Sequence, residues 1–170
     1  MDHIIRAQQG DDDAFNHLID QYKSLLYRTA LAYVRNEDDA IEIVQTTVYK
    51  AYLSINRLKE PAYFKTWLTR ILINCAIDYI RNKKRVIPFA DISDSRTTSL
   101  QDGFENEELH DSIQKLDEKY KTVVILKYFQ DLTHEQIAEI LNCPVGTVKT
   151  RLHRALQTLR MDLKEECING

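Results

Sequence analysis

Residues 132–160 read LTHEQIAEILNCPVGTVKTRLHRALQTLR, and little besides two helices about a tight corner accommodates them. Thr133 with Gln136 three residues on is a capping box, which starts the first helix. Ala138 supplies a small residue where two helices touch. Asn142 supplies a residue that enters the left-handed backbone region more readily than most. Ile137 and Leu141 turn inward from the first helix, and Val148, Leu152, Leu156 and Leu159 from the second. This is the pattern of a helix-turn-helix. Its outward residues Thr147, Lys149, Thr150, Arg151, His153 and Arg154 suit a DNA major groove: arginine forks onto guanine, lysine neutralises phosphate, and threonine offers a hydroxyl or a methyl. A bidentate arginine–guanine contact carries roughly 1–3 kcal/mol of discrimination.

The rest of the chain carries the same three-and-four recurrence of apolar residues. Residues 13 to 35 place Phe15, Leu18, Ile19, Tyr22, Leu25, Leu26, Ala30, Tyr33 and Val34 on one helical face. "NEDD" breaks that pattern and caps a second helix, about 38 to 55, with Ala40, Ile43, Val44, Val48, Ala51, Tyr52 and Ile55 on its apolar face. Pro61 ends the following loop, and a third helix runs over about 62 to 83, burying Phe64, Trp67, Leu68, Ile71, Leu72, Cys75, Tyr79 and Ile80. From 86 to 105 the period disappears, Ser, Thr and Asp dominate, and the segment reads as a flexible acidic linker. Helical pattern resumes at about 106 and continues through Tyr128. The expectation is an all-α chain of two small helical domains: 1–85, the linker 86–105, and 106–170 with the helix-turn-helix.

Composition narrows the function. Four glycines and three prolines are too few for a many-turned β fold. A net charge of −3 means that nucleic-acid binding must rest on local clusters of charge. Cys75, Cys143 and Cys167 are far apart and match no zinc-ligand or disulfide spacing, which points to a reducing compartment. The opening MDHIIRAQQGDDDAF has no basic segment followed by an apolar run, and no apolar run spans a bilayer. The expected localisation is cytoplasmic, with no membrane insertion.

One local cluster ends the third helix: RNKKR, residues 81–85, with Lys65 and Arg70 earlier. Cations at a helix C-terminus complement its dipole. Tyr63, Phe64 and Trp67 stand at the start of the same helix, and aromatics beside cations are what a single-stranded nucleic acid uses for stacking and charge. Tyr63 lies off the apolar stripe and is the better base platform, whereas spacing favours the core for Phe64 and Trp67.

At this point the chain resembles the extracytoplasmic-function (ECF) sigma factors of the bacterial sigma-70 superfamily. GDDDAFNHLIDQYKSLLYRTA resembles the start of the family's second region, DDAIEIVQTTVYKAY its glutamine-bearing acidic helix, and FKTWLTRILINCAIDYIRNKKR its promoter-melting and minus-ten helix. LDEKYKTVVILKYFQDLTHEQIAEILNCPVGTVKTRLHRAL resembles its fourth region, where VGTVKTRLHRAL nearly spells the consensus. The resemblance implies a factor that binds core RNA polymerase, on the clamp of the β′ subunit and the flap of the β subunit, and directs promoter-specific initiation. Asp39, Glu42, Ile43 and Gln45 would dock on the clamp. Tyr63, Phe64, Lys65, Trp67, Arg70, Asn74, Asp78, Arg81, Lys83, Lys84 and Arg85 would meet minus-ten DNA. Pro144, Gly146, Thr147, Lys149, Thr150, Arg151, His153 and Arg154 would enter the minus-thirty-five element. The linker would thread the polymerase channels, and an anti-sigma partner would hold the factor in reserve. Departures from the family pattern are Ile41 and Thr46 where acids are common, Val48 for Phe, Asp117 for Pro and Thr150 for Ser.

Two other classes compete. A one-component helix-turn-helix regulator would use the N-terminal bundle to dimerise or sense a ligand, and would leave the glutamine-bearing helix unexplained. A helical-bundle metalloenzyme would use Glu107 and His110, which have Glu-x-x-His spacing. Such sites need two copies and further glutamates, so no metal, cofactor or catalytic residue is expected, and the chain reads as a non-enzyme.

Overall fold

The computed structural model describes residues 2–86 and 107–169 of the 170-residue chain. The described residues are helical throughout, with no strand among them. Contacts divide the chain into two compact units, 1–95 and 96–170. The acidic linker expected over 86 to 105 lies, from residue 87 on, outside the described residues.

Four helices build the first unit: α1 (Asp2–Gln8), α2 (Asp12–Val34), α3 (Glu37–Ser54) and α4 (Phe64–Val86). Helix α1 has no counterpart in the sequence reading. At seven residues it is too short to stand alone in water. Packing holds it: Ile4 and Ala7 are buried, and the Gln8 amide donates to the carbonyls of Ile55 and Leu58 at 3.1 and 2.7 Å. Gly10, at φ +93°, makes the turn into α2, where Asp11 caps the helix by accepting from the Ala14 N–H. Asn36 caps α3 in the same way, accepting from the Asp39 N–H at 3.0 Å. Leu26, Ala30 and Tyr33 of α2 share a core with Ala40, Ile43 and Ala51 of α3 and Leu68, Leu72 and Ala76 of α4. Each large apolar side chain taken out of water there contributes roughly 1.5–3 kcal/mol.

The second unit holds α5 (Glu107–Lys115), α6 (Glu118–Tyr128), α7 (His134–Leu141) and α8 (Val145–Asn169). The helical pattern read from about 106 through Tyr128 is divided into two helices between Lys115 and Glu118. Its break falls at Asp117, whose backbone leaves the helical region at φ −57°, ψ 149°. Helix α6 is the axle of this unit. Val123, Val124, Ile125 and Leu126 are consecutive and all buried, which requires neighbours on every side. Ile113, Leu116, Val124, Ala155 and Leu159 form a core cluster, with Leu109, Tyr120 and Leu156 packed against it. His110 is buried with its ring 5.9 Å from that of Phe129, whereas Glu107 is exposed.

Candidate nucleic-acid interface

In the second unit the helix-turn-helix corner forms as its residues require. Thr133 and Gln136 close a reciprocal capping box. Asn142 sits in the left-handed region at φ 51°, ψ 51°. The Asn142 N–H donates to the Glu139 carbonyl at 3.3 Å and the Cys143 N–H to the Ala138 carbonyl at 3.0 Å, a Schellman closure that satisfies the last carbonyls of α7. Pro144 then accepts from the Thr147 N–H and starts α8. Val148 is fully buried, and Leu152, Ala155 and Leu159 continue that face. Ile140 takes the buried position on α7 expected for Leu141, which is half-buried.

All eight expected minus-thirty-five residues lie on the outside. Pro144, Gly146, Lys149, Thr150, His153 and Arg154 are exposed, and Thr147 and Arg151 half-exposed. No carboxylate occurs between Val145 and Met161, so the cations of this face meet no internal neutralisation from their own helix. Two residues of α6 join them, which sequence reasoning missed. Lys119 and Tyr120 stand with Thr147, Thr150, Arg151 and Arg154 around a notch of about 300 Å³. The Lys119 Nζ lies 5.0 Å from the centre of the Tyr120 ring. Arg154, with Lys119 beside it, holds the Tyr120 phenol below its ordinary pKa. The undivided pattern from 106 to 128 hid this: with Asp117 recognised as a break, Lys119 and Tyr120 fall in the first turn of a new helix.

In the first unit, 3.6 residues per turn sorts the candidates on α4 into two sides. Trp67, Arg70, Asn74, Asp78, Arg81 and Arg85 recur at three and four along one stripe; Trp67 is half-buried and the others exposed. Tyr63, on the turn just before α4, is 54% exposed. Phe64 corrects the expectation: it is 2% exposed, with its ring between those of Tyr22 and Trp67 at 5.4 and 5.8 Å. Its side chain is packed inside the unit. Lys65 is half-buried on the inner side, and Lys84 is exposed beside the stripe.

Lys83 is also off the stripe, turned toward α3. Its ammonium lies 2.6 Å from the Asp39 carboxylate, whose other oxygen accepts from the Tyr79 hydroxyl at 2.6 Å. Burial, then the Asp39 carboxylate and Glu42 beyond it, hold the Tyr79 phenol well above its ordinary pKa. Asp39 therefore clasps α3 to α4 and has little surface left to offer. Ile43, expected among the docking residues, is 1% exposed and belongs to the core of this unit. Glu42 and Gln45 are exposed as expected. Tyr49 and Leu53, 64% and 62% exposed, continue their stripe at four-residue steps. The outer face of α3 is thus less acidic and more apolar than the sequence reading had it. The apolar stripe read from the sequence left both residues off the core face, but nothing in the pattern joined them to Glu42 and Gln45 as one outer surface.

Comparison with known proteins agrees with this geometry. Residues 18–86 match the family model for Sigma-70 region 2, and residues 106–159 that for Sigma-70, region 4. The chain is 38% identical to the RNA polymerase sigma factor SigV of Bacillus subtilis over 87% of its length and 90% of the relative's. It is 37% identical to the ECF RNA polymerase sigma factor SigW of the same organism, over 95% of each chain. It is likewise 37% identical to the ECF RNA polymerase sigma-E factor of Haemophilus influenzae, over 92% of its length and 90% of the relative's. The fold is shared with CnrH, solved with the cytosolic domain of CnrY, at a TM-score of 0.72 and 22% identity over 96% of both chains. It is shared too with RpoE of Bartonella quintana, solved with the anti-sigma factor NepR, at a TM-score of 0.72 and 24% identity over 88% of this chain and 96% of that one.

Proposed function

Because the chain belongs to the ECF group of the sigma-70 family of RNA polymerase sigma factors, we propose that its two units divide the work of an alternative sigma factor between them. The first, residues 1–85, docks on core polymerase through Glu42, Gln45, Tyr49 and Leu53 of α3, against the clamp of the β′ subunit. The stripe of α4, from Tyr63 and Trp67 to Arg81 and Arg85, takes the opened minus-ten strand. The second, residues 106–170, sets α8 in the major groove of the minus-thirty-five element and meets the flap of the β subunit. The residues 86–105 join them through the polymerase channels. An anti-sigma partner would silence the factor by covering the α3 and α8 faces. The factor works in the cytoplasm, beside its polymerase; no described helix is long and apolar enough to cross a membrane.

The observation that carries this reading is the pairing of two unlike faces in one chain. One is an exposed aromatic–cation stripe suited to unstacked bases; the other is the basic stretch of α8 over Val145–Met161, which holds no carboxylate and suits duplex. Nothing covalent is asked of either. Extruding a base costs a few kcal/mol, and stacking on an aromatic returns about 1–3 kcal/mol. Each face alone neutralises few phosphates, so the free protein binds promoters weakly and loses that binding quickly with salt. Mounting both on polymerase makes the second contact intramolecular and raises its effective concentration.

The test is run-off transcription with bacterial core polymerase on a pool of randomised promoters, with and without the protein. Protein-dependent transcripts that share two spaced upstream elements are expected. Transcripts indifferent to a folded, monomeric protein would overturn the reading, as would tight and specific binding of promoter duplex by the isolated chain.

A further inference from the structure

We propose that Gln8 of α1 is a positioning residue for the loop between α3 and α4: it fixes the segment that carries Tyr63, and so sets the platform on which an unpaired minus-ten base stacks. The proposal rests on Tyr63 being that platform. The Gln8 amide donates to the Ile55 carbonyl at 3.1 Å and to the Leu58 carbonyl at 2.7 Å. These two carbonyls bracket the short turn Ile55–Arg57, which the Leu58 N–H closes onto the Ile55 carbonyl at 3.1 Å. One amide from far away in sequence therefore holds both ends of the turn at once. From Leu58 the chain leaves helical geometry and crosses Lys59 and Glu60 to a second turn, Pro61–Tyr63. Lys59, Glu60, Ala62 and Tyr63 are exposed and Pro61 is half-buried, so the crossing takes its position from its two ends. The exit is seated by the Phe64 ring between Tyr22 and Trp67, the entry by buried Leu58 and by Gln8.

Gln8 itself stands on a fixed base. Ile4 and Ala7 of α1 are buried. Arg6 donates from Nε and Nη2 to one Asp11 oxygen at 2.9 and 2.6 Å, and the other Asp11 oxygen caps α2. A merely stabilising tie is already supplied at the end of α3. Ile55 and Leu58 are buried, the Tyr52 hydroxyl donates to Asp12 at 2.9 Å, and the Tyr52 ring meets Phe15 edge-on at 5.2 Å. Apolar burial has no direction, so it leaves unset the way the two carbonyls point. A hydrogen bond has direction and sets it. Because the peptide unit is planar, fixing the Leu58 carbonyl also fixes the plane that carries the Lys59 nitrogen, and with it the heading of the crossing. A platform set in this way loses less conformational freedom when a base stacks on it.

The experiment measures holoenzyme binding to a forked version of a selected promoter with its minus-ten strand unpaired, intact and with one base at a time replaced by an abasic sugar. The proteins are wild type, Q8M, Q8E, Y63A and Q8M/Y63A. Q8M keeps the length and nearly the volume of the side chain without its donors. Q8E keeps the shape and also lacks them, so either variant serves if the other unfolds the unit, as Trp67 emission reports. In wild type, removing the base that stacks on Tyr63 should weaken binding most, and Y63A should erase that difference. Q8M and Q8E should weaken binding to the intact fork roughly two- to tenfold and shrink the penalty at that one position. Q8M should add nothing in the Y63A background. A merely structural role lowers the urea midpoint and leaves the abasic profile unchanged. A wild-type profile in Q8M and Q8E beside an altered one in Y63A would overturn the brace and leave the Tyr63 platform standing, as would losses in Q8M and Y63A that add. Loss of the folded unit in both Gln8 variants makes Gln8 a folding residue and equally overturns the proposal. A wild-type profile in Y63A removes the platform, and the brace with it.

Discussion

Removing the Asp39 carboxylate should loosen the first unit by an amount that can be worked from its contacts. Asp39 accepts from the Tyr79 hydroxyl at 2.6 Å and pairs with Lys83 at 2.6 Å, and it stands in the first turn of α3. A hydrogen bond to a charged acceptor is worth about 1.5–3 kcal/mol, toward the low end at a partly exposed site. The Lys83 side chain is 51% exposed, so its ion pair adds only about 0.5 kcal/mol. The helix dipole adds roughly another 0.5 kcal/mol. D39A should therefore cost about 2–3 kcal/mol. D39N keeps an acceptor for Tyr79 but no charge, and should cost about half as much. The chain has one tryptophan, Trp67, and it lies in this unit, so its emission reports unfolding of this unit alone. With a urea m-value of about 1 kcal/mol/M for so small a unit, the D39A midpoint should fall by about 2–3 M. A fall below about 0.5 M, or D39N as damaging as D39A, would refute the clasp.

Three further outcomes follow from the geometry. The Tyr79 phenol titrates higher folded than unfolded, so its contribution to stability is full below the ordinary tyrosine pKa of about 10 and is lost as pH rises above it. Tryptophan-detected urea midpoints should therefore fall more steeply above pH ~10 in wild type than in Y79F. Asn142 holds φ 51°; N142G should unfold within a few tenths of a kcal/mol of wild type or higher, while N142A should lose about 1 kcal/mol, read by far-UV circular dichroism. T133A breaks the capping box of α7 and should cost the second unit about 1 kcal/mol by the same measurement, with the Trp67 transition unmoved.

The helix-turn-helix was legible because its signals are local. A threonine–glutamine pair, a left-handed asparagine and one apolar root act within a dozen residues, and the structure uses each as its chemistry suggests. What escaped depends on tertiary packing. Helix α1 is too short to show a period and exists through Gln8 and two buried side chains. The break at Asp117 carries no glycine or proline, and apolar residues continue across it. Of two adjacent aromatics, Tyr63 faces outward and Phe64 inward, as their spacing suggested; the resemblance alone had put both on DNA. Tyr49 and Leu53 fall off the apolar stripe of α3, but nothing nearby in sequence says that two large apolar side chains stay exposed there. Lys83 sits in a basic run whose other members face solvent, and its partner is 44 residues away.

The axle arrangement of the second unit has a consequence for how such a factor changes over generations. The middle of helix α6, residues 121–126, is buried on every side, so almost any substitution within Val123–Leu126 leaves a void or an overfilled core. Helix α8 shows the reverse on its outer face: Lys149, Thr150 and His153 are exposed and support no part of the fold. A lineage can rewrite those letters at little cost in foldedness, since exposed substitutions seldom move stability by more than about 0.5 kcal/mol. Duplicated copies of such a gene could then drift to separate sets of promoters while sharing one inherited, unaltered keel.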